Sequence, residues 1–383
     1  MIYLDNAATS WPKPPAVLRA MTDFLETVGA NPGRSGHRLS IAAGRIVYEA
    51  REAVARLFNA PDPLRVVFGH NATDALNLAI LGTLRPGDHV ITSSVEHNSV
   101  MRPLRALEQR GLHLTVLPCS PDGRLDPTHI DRAVRADTTM IVLTHASNVT
   151  GAILPIAEAG AIARRHGLLL LVDAAQTAGT LPIDMQADNI DLLAFTGHKS
   201  LYGPTGTGGL VLGERVDEKK LHPLRRGGTG SRSEAESQPQ FLPDRFESGT
   251  ANAVGLAGLL AGIRWTMDRE AGAVHDQKQA LAHRLWDGLV TVQRVTLYGS
   301  EAASRPTGTI AFNIEGLEPS EVGLQLDEEY AILCRVGLHC APAAHKTIGT
   351  YPHGAVRFSL STFNTRDHID AAVQAVANLA NEV

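Results

Sequence analysis

Lys199 stands in Phe195-Thr196-Gly197-His198-Lys199-Ser200-Leu201-Tyr202-Gly203, just past an apolar run at 191–195. That run has the length of a buried strand, so an amine emerges at a strand's exit among small residues and glycines. A second apolar run, 168–172, ends in Asp173-Ala174-Ala175-Gln176. Neighbouring strands would then deliver a carboxylate, an amide and a lysine to one crevice. Such a trio suits a pyridine aldehyde: the amine condenses with the aldehyde, the acid keeps the ring nitrogen protonated, and the amide bonds the phenolate oxygen. Pyridoxal 5'-phosphate (PLP), an electron sink, needs this set. Taken singly, each residue has a plainer role, Lys199 as a solvated loop charge and Asp173 as a helix cap.

The order VDAAQ then TGHK resembles the class V aminotransferase branch of fold-type I PLP-dependent enzymes, and most of all its cysteine desulfurases and selenocysteine lyases. The resemblance covers nearly the whole chain, from Tyr3-Leu4-Asp5-Asn6-Ala7-Ala8 to Arg357-Phe358-Ser359. It implies that Asp173 pairs with the pyridinium nitrogen and that Gln176 bonds the phenolate oxygen. Thr196 and His198 would donate to phosphate oxygens. In Gly69-His70-Asn71-Ala72-Thr73 the residues read as a strand-to-helix turn whose free N–H groups suit an anion, or simply as a good cap. The resemblance places Ala72 and Thr73 in the phosphate cradle. It also implies that His97 stacks on the cofactor ring and shuttles protons, and that Asn148 sits beside the phenolate and the substrate. Thr250, in Phe246-Glu247-Ser248-Gly249-Thr250, would reach a partner's phosphate across a homodimer interface. A threonine capping a helix from about residue 253 reads equally well.

Arg335-Val336-Gly337-Leu338-His339-Cys340-Ala341-Pro342 is punctuated by glycine and proline, so its cysteine is expected in an exposed loop. A thiolate is the nucleophile of sulfur chemistry, and neighbouring positive charge favours it. Arg335 and His339 are near enough in sequence to help. The segment is similar to the short-loop class of desulfurases, in which this cysteine attacks the substrate's sulfur and keeps it as a persulfide. Leu338 stands where the family often has a first histidine. Cys334, just before the motif, is expected to be packed. Cys334, His339, Cys340 and His345 cluster, yet they lack the paired spacing of a zinc grip, and no metal is expected. Arg357 interrupts an apolar strand and must be paired there. Its partner is either an internal carboxylate or a substrate carboxylate held bidentately. The family position favours the substrate, and the same resemblance puts His37 near it; Arg335 is expected as a further substrate contact.

These groups need a scaffold. With 383 residues the chain is long enough for two domains. Runs at 65–68, 89–92, 112–117, 140–144, 168–172, 191–195 and 208–212 alternate with helical patterns at 72–84, 100–110 and 156–166. This implies a mainly parallel seven-stranded sheet between helices, with ligands at the strands' carboxyl ends. The fold expected is α/β, PLP-dependent transferase fold type I, with a smaller α+β carboxyl-terminal domain. The large domain is read as 13–262, and 1–12 with 263–383 as the small one. A polar, glycine-rich stretch at 226–243 reads as a long loop, either an active-site flap or a surface excursion. A helical region follows at 254–290, then strands at 308–314 and 355–360 and a final helix from Asp367. No role is assigned to 343–350.

A net charge of −5 and 20% charged residues give no reason to expect nucleic acid or membrane partners. The amino terminus has no basic segment before an apolar core, so a cytoplasmic location is expected. The expected reaction is conversion of L-cysteine to L-alanine with sulfur left on Cys340 and passed to an acceptor protein. L-selenocysteine is the nearest alternative substrate. A class V transaminase or racemase, which has no use for the thiol, and a non-catalytic PLP-fold partner protein are the other readings.

Overall fold

A computed structural model describes residues 1–33, 36–268, 271–299 and 307–382. In chain order come β1 (Ile2–Tyr3), α1 (Pro15–Asp23), α2 (Arg38–Leu57), β2 (Val66–Gly69), α3 (Ala72–Thr83), β3 (His89–Ser93), α4 (Asn98–Glu108), β4 (His113–Leu117), α5 (Pro127–Arg132), β5 (Thr138–Thr144) and α6 (Ile156–His166). Then follow β6 (Leu169–Asp173), β7 (Leu192–Thr196), β8 (Gly208–Leu212), α7 (Ala253–Asp268), α8 (Ala271–Val290), β9 (Val295–Tyr298) and β10 (Thr309–Ile314). The chain finishes with α9 (Pro319–Tyr330), β11 (Ile332–Leu333), β12 (Arg335–Gly337), α10 (Pro342–Thr347), β13 (Ala355–Ser359) and α11 (Arg366–Asn381).

Seven strands form the main sheet in the order β2-β8-β7-β6-β5-β3-β4. All neighbours run parallel except at β8, which is antiparallel to both β2 and β7. Every residue of β7 and β8 is buried, the pattern of strands covered on both faces. Phe195, fully buried against Phe58 with ring centroids 5.7 Å apart, is worth roughly 1.5–3 kcal/mol of burial. Two apolar clusters cover the two faces of the sheet. A third gathers Leu4 with Leu285, Phe312, Phe358 and Leu379 around a four-stranded sheet ordered β12-β13-β10-β9. The helical pattern at 254–290 is two helices, α7 and α8; residues 269–270 between them lie outside the described residues.

The parallel register sets the site. Thr144 pairs with Asp173 and Asp173 with Ala194, so β5, β6 and β7 end side by side and release their next residues into one crevice.

Candidate active site

At that crevice a cavity of about 200 Å³ is lined by Ala72, Thr73, His97, Asn148, Asp173, Gln176, Thr196, His198 and Lys199, together with Asn71, Ser99 and Thr144. Asp173 comes from the last position of β6, Thr196 from that of β7, and Lys199 from the turn that follows. The carbonyl of Lys199 accepts from the Tyr202 N–H at 2.8 Å and from Ser10 Oγ at 2.8 Å, which fixes that turn. Gln176 Nε2 donates to the Ala7 carbonyl at 3.2 Å.

Burial pushes the Lys199 amine down to about 8, with Asp173 opposing and the Arg357 and Arg335 guanidinium groups adding to the shift. Burial also raises Asp173, against the Ala175 N–H bond and the charge of Lys199. His97 is brought to about 4, first by burial and then by Lys199, Arg335, Arg102 and Arg357. It is therefore neutral, and because its Nδ1 accepts from the Ser99 N–H at 3.0 Å, its proton sits on Nε2. Burial, Lys199 and Lys13 lower His198 to about 4. Glu96, missed by sequence reading, is fully buried beside this crevice and is raised to about 8 by burial, while Ser93 and the Thr144 N–H bond it.

The start of α3 closes one end of the cavity. Asn71 caps the helix through Oδ1, which accepts from the Asp74 N–H at 3.0 Å, so the N–H groups of Ala72 and Thr73 keep no partner within the helix. A Cβ on Gly208 would come within 2.7 Å of both the Asn71 Cα and the Phe195 carbonyl oxygen. Only glycine lets the turn lie so close on β8.

The cysteine segment is built differently from a plain loop. Arg335–Gly337 is a strand paired antiparallel to β13, and Pro342–Thr347 is a short helix; only the turn between them is irregular. Such short pieces carry no readable periodicity. Cys340 is exposed, and its Sγ lies 3.8 Å from the Arg335 guanidinium. Its carbonyl accepts from the Asn98 N–H at 2.8 Å, and the preceding carbonyl, of His339, accepts from Asn148 Nδ2 at 2.7 Å. Cys334 is packed as expected, its thiol pushed up to about 12 mainly by burial.

Arg357 is 2% exposed and donates to Asp5 Oδ1 at 2.7 Å and to the Asn148 carbonyl at 3.0 Å. The internal carboxylate raised as one of its two partners is thus Asp5, from the turn after β1. Its Nε is buried without a partner among the described residues. His37 and Thr250 do not line the Lys199 cavity. His37 is exposed at the start of α2, where its Nδ1 accepts from the Ser40 N–H at 3.2 Å; Arg34 and Ser35 of its segment lie outside the described residues. Thr250 lines a separate hollow of about 280 Å³ with Arg225, Glu247 and Ser248. The cap of α7 is Asn252, whose Oδ1 accepts from the Gly255 N–H at 3.0 Å, so Thr250 is not the capping residue.

A mainly parallel seven-stranded sheet with a lysine and an aspartate at adjacent strand exits is the fold-type I architecture of PLP-dependent transferases. The model of the Aminotransferase class-V family matches residues 2–372. The chain belongs to that family, in its cysteine desulfurase branch. It is 34% identical to a probable cysteine desulfurase of Methanothermobacter thermautotrophicus over 99% of this chain and 94% of the relative. An apo cysteine desulfurase structure from Thermococcus onnurineus superposes with a TM-score of 0.93 at 32% identity, covering 100% of this chain and 95% of that one. The S-sulfonic acid form of the Escherichia coli cysteine desulfurase CsdA gives 0.88 at 31% identity, covering 99% and 94%.

Proposed function

We propose that the chain is a PLP-dependent cysteine desulfurase that converts L-cysteine to L-alanine and keeps the sulfur as a persulfide on Cys340. The observation that carries this reading is an exposed thiol fastened to the wall of the lysine cavity: Asn148, which lines the cavity, holds the carbonyl of His339, and Asn98 holds that of Cys340.

Three features support PLP. Thr196 Oγ1 and His198 Nδ1 are buried at the cavity without partners among the described residues, and Ala72 and Thr73 offer free N–H groups at a helix start, as a phosphate requires. Asp173 suits a pyridinium nitrogen, and Lys199 suits an aldehyde. The bound cofactor would draw negative charge away from the substrate's α-carbon.

The chain's own residues supply the rest. With its amine near 8, Lys199 has a sizeable neutral fraction at physiological pH and takes the α-proton. Neutral His97 holds a donor on Nε2. Arg357, with its free Nε, and Arg335 bind the substrate's carboxylate. His37 is retained only as a substrate contact available from its exposed position. The Cys340 thiolate attacks the substrate's sulfur; an S–S bond forms, the Cβ–S bond breaks, its electron pair stays with the carbon fragment, and protonation gives alanine. Because Cys340 must be emptied before a second turnover, a sulfur acceptor protein is inferred.

A homodimer is also inferred, with Thr250 directed to the partner. Exposed Leu18 in α1, Leu25 in the short π-helical segment Phe24–Val28 that continues it, and Ile41 in α2 support it. The separate core around Leu4, Leu285 and Phe358 supports the division into 13–262 and 1–12 with 263–383. All three cysteines are free, and a persulfide carrier needs reducing surroundings, which supports a cytoplasmic location. No helix among the described residues is long and apolar enough to cross a membrane.

Product analysis tests the reading. PLP-loaded protein given L-cysteine is expected to yield alanine and sulfur in equal amounts. Alanine from L-selenocysteine alone would make it a lyase, and alanine from neither would sink both substrates.

A further inference from the structure

A chain of buried hydrogen bonds lies behind the cysteine turn. His345, fully buried in α10, has Nε2 3.1 Å from Nδ1 of His339 and Nδ1 2.7 Å from Oγ1 of Thr350. His339 Nε2 in turn meets the Arg335 carbonyl at 3.3 Å. A carbonyl only accepts, so the proton of His339 is on Nε2. Its Nδ1 is then an acceptor, and His345 must donate to it from Nε2. That leaves His345 Nδ1 to accept from the Thr350 hydroxyl. Each ring nitrogen is used once and each ring carries one proton. Burial agrees with this neutral state, bringing His345 to about 4 and His339 to about 2.

The bonds close the 335–340 segment on itself. The ring of His339 returns to the carbonyl of Arg335, while the guanidinium of the same Arg335 faces the Cys340 thiol at 3.8 Å. His339 and Cys340 have φ of 49° and 56°, two successive non-glycine residues in the left-handed region. Such backbone persists only where its surroundings over-determine it. Asn148 and Asn98 hold the two carbonyls, and the histidine pair holds the side-chain end.

We propose that His345 is a positioning residue for Cys340: acting through His339, it locks the turn so that the thiol stays against Arg335. His345 touches neither the thiol nor the Lys199 cavity. The effect on turnover rests on Cys340 being the sulfur acceptor; the placing of the thiol does not.

Three variants in the PLP-loaded protein test it. H345Q keeps a donor toward His339, H345N keeps only the contact with Thr350, and H345L keeps neither. In H345L and H345N, kcat for persulfide formation should fall about tenfold to a hundredfold, the scale expected for a reacting group displaced by about an ångström. KM should change less than kcat, because Arg357 is untouched and Arg335 keeps its strand pairing with β13 when the turn loosens. H345Q should recover most of the rate. A second readout needs no turnover: carbamidomethylation of Cys340 by iodoacetamide at neutral pH, in which the thiolate displaces iodide, should slow in the same order, read by peptide mass. If H345L does not fold, the comparison of H345Q with H345N carries the test. Equal kcat in all folded variants, or a loss that follows thermal stability without separating kcat from KM, overturns the proposal. If the parent forms no persulfide while alkylation still follows the expected order, the desulfurase reading fails and the positioning role stands.

Discussion

The side-chain amide of Asn148 donates to the carbonyl of His339 at 2.7 Å, so a residue that lines the lysine cavity grips the peptide just before the exposed thiol. Through its own carbonyl, Asn148 also accepts from Arg357 at 3.0 Å. Cavity, thiol and guanidinium therefore share one residue. Asn148→Ala would leave a buried carbonyl without its donor, a cost of about 1–3 kcal/mol. The expected result is a roughly tenfold or greater fall in persulfide formation, with the cofactor's absorbance retained. Single-turnover measurement with L-cysteine checks this, and an unchanged rate would detach the cysteine turn from the cavity.

Arg357 and Asp5 make a second test. The pair is 2.7 Å long, and the strand register sets Arg335 directly opposite Arg357, so Asp5 also offsets two adjacent like charges. If the substrate's carboxylate shares this guanidinium, Arg357→Lys loses a charged fork worth about 1.5–3 kcal/mol, and KM for L-cysteine should rise roughly tenfold to a hundredfold. Asp5→Asn should lower KM by freeing a donor, unless the protein unfolds, which a melting curve reports. An unchanged KM in both variants would remove Arg357 from substrate binding.

Lys278 gives a prediction about pH. It is 6% exposed, among the described residues its amine reaches only Thr180 Oγ1 at 3.5 Å, and burial pushes it from 10.5 down to about 8. No salt bridge to it is formed among the described residues. Between pH 8 and 10.5 the unfolded chain binds more protons than the folded one, so this group's contribution to stability rises with pH there, and below 8 its cost is complete. Lys13 and Lys199, both near 8, act with the same sign in the cofactor-free protein. Lys278→Met should raise stability at pH 7 by on the order of 3 kcal/mol, since each tenfold loss of proton affinity corresponds to about 1.36 kcal/mol, and should flatten the rise between pH 7 and 9. Urea midpoints of the cofactor-free protein at both pH values measure it. A variant less stable than the parent at pH 7 would contradict the account.

Most of the main strands were legible because strands covered on both faces are short apolar runs bounded by turn residues, as at Leu169–Asp173 and Leu192–Thr196. The residues at their exits were legible for the same reason: once the strands are placed, Asp173, Thr196 and Lys199 have only one crevice to enter. Shorter pieces were not. Arg335–Gly337 has too few residues to show alternation and ends in a glycine at φ 97°, so it reads as loop until β13 pairs with it. Asp5 as the partner of Arg357 depends on a single-residue bridge from Asp5 to Ser359 of β13, just past the two-residue strand β1, which no local pattern announces. The His339 to His345 contact spans a turn and a helix start, so neither helical nor strand spacing suggests it. Thr250 and Asn252 both precede α7, and only the reach to the Gly255 N–H separates them.

The central claim is that Cys340 accepts the sulfur. The direct measurement is peptide mass spectrometry of PLP-loaded protein after one turnover of L-cysteine, with alkylation to trap persulfides, beside a Cys340→Ala variant. One added sulfur on the Cys340 peptide, none on those of Cys119 or Cys334, and alanine formation lost in the variant although its cofactor absorbance matches the parent is the result expected. Alanine released at the parent rate by Cys340→Ala, or sulfur found on another cysteine, would contradict it.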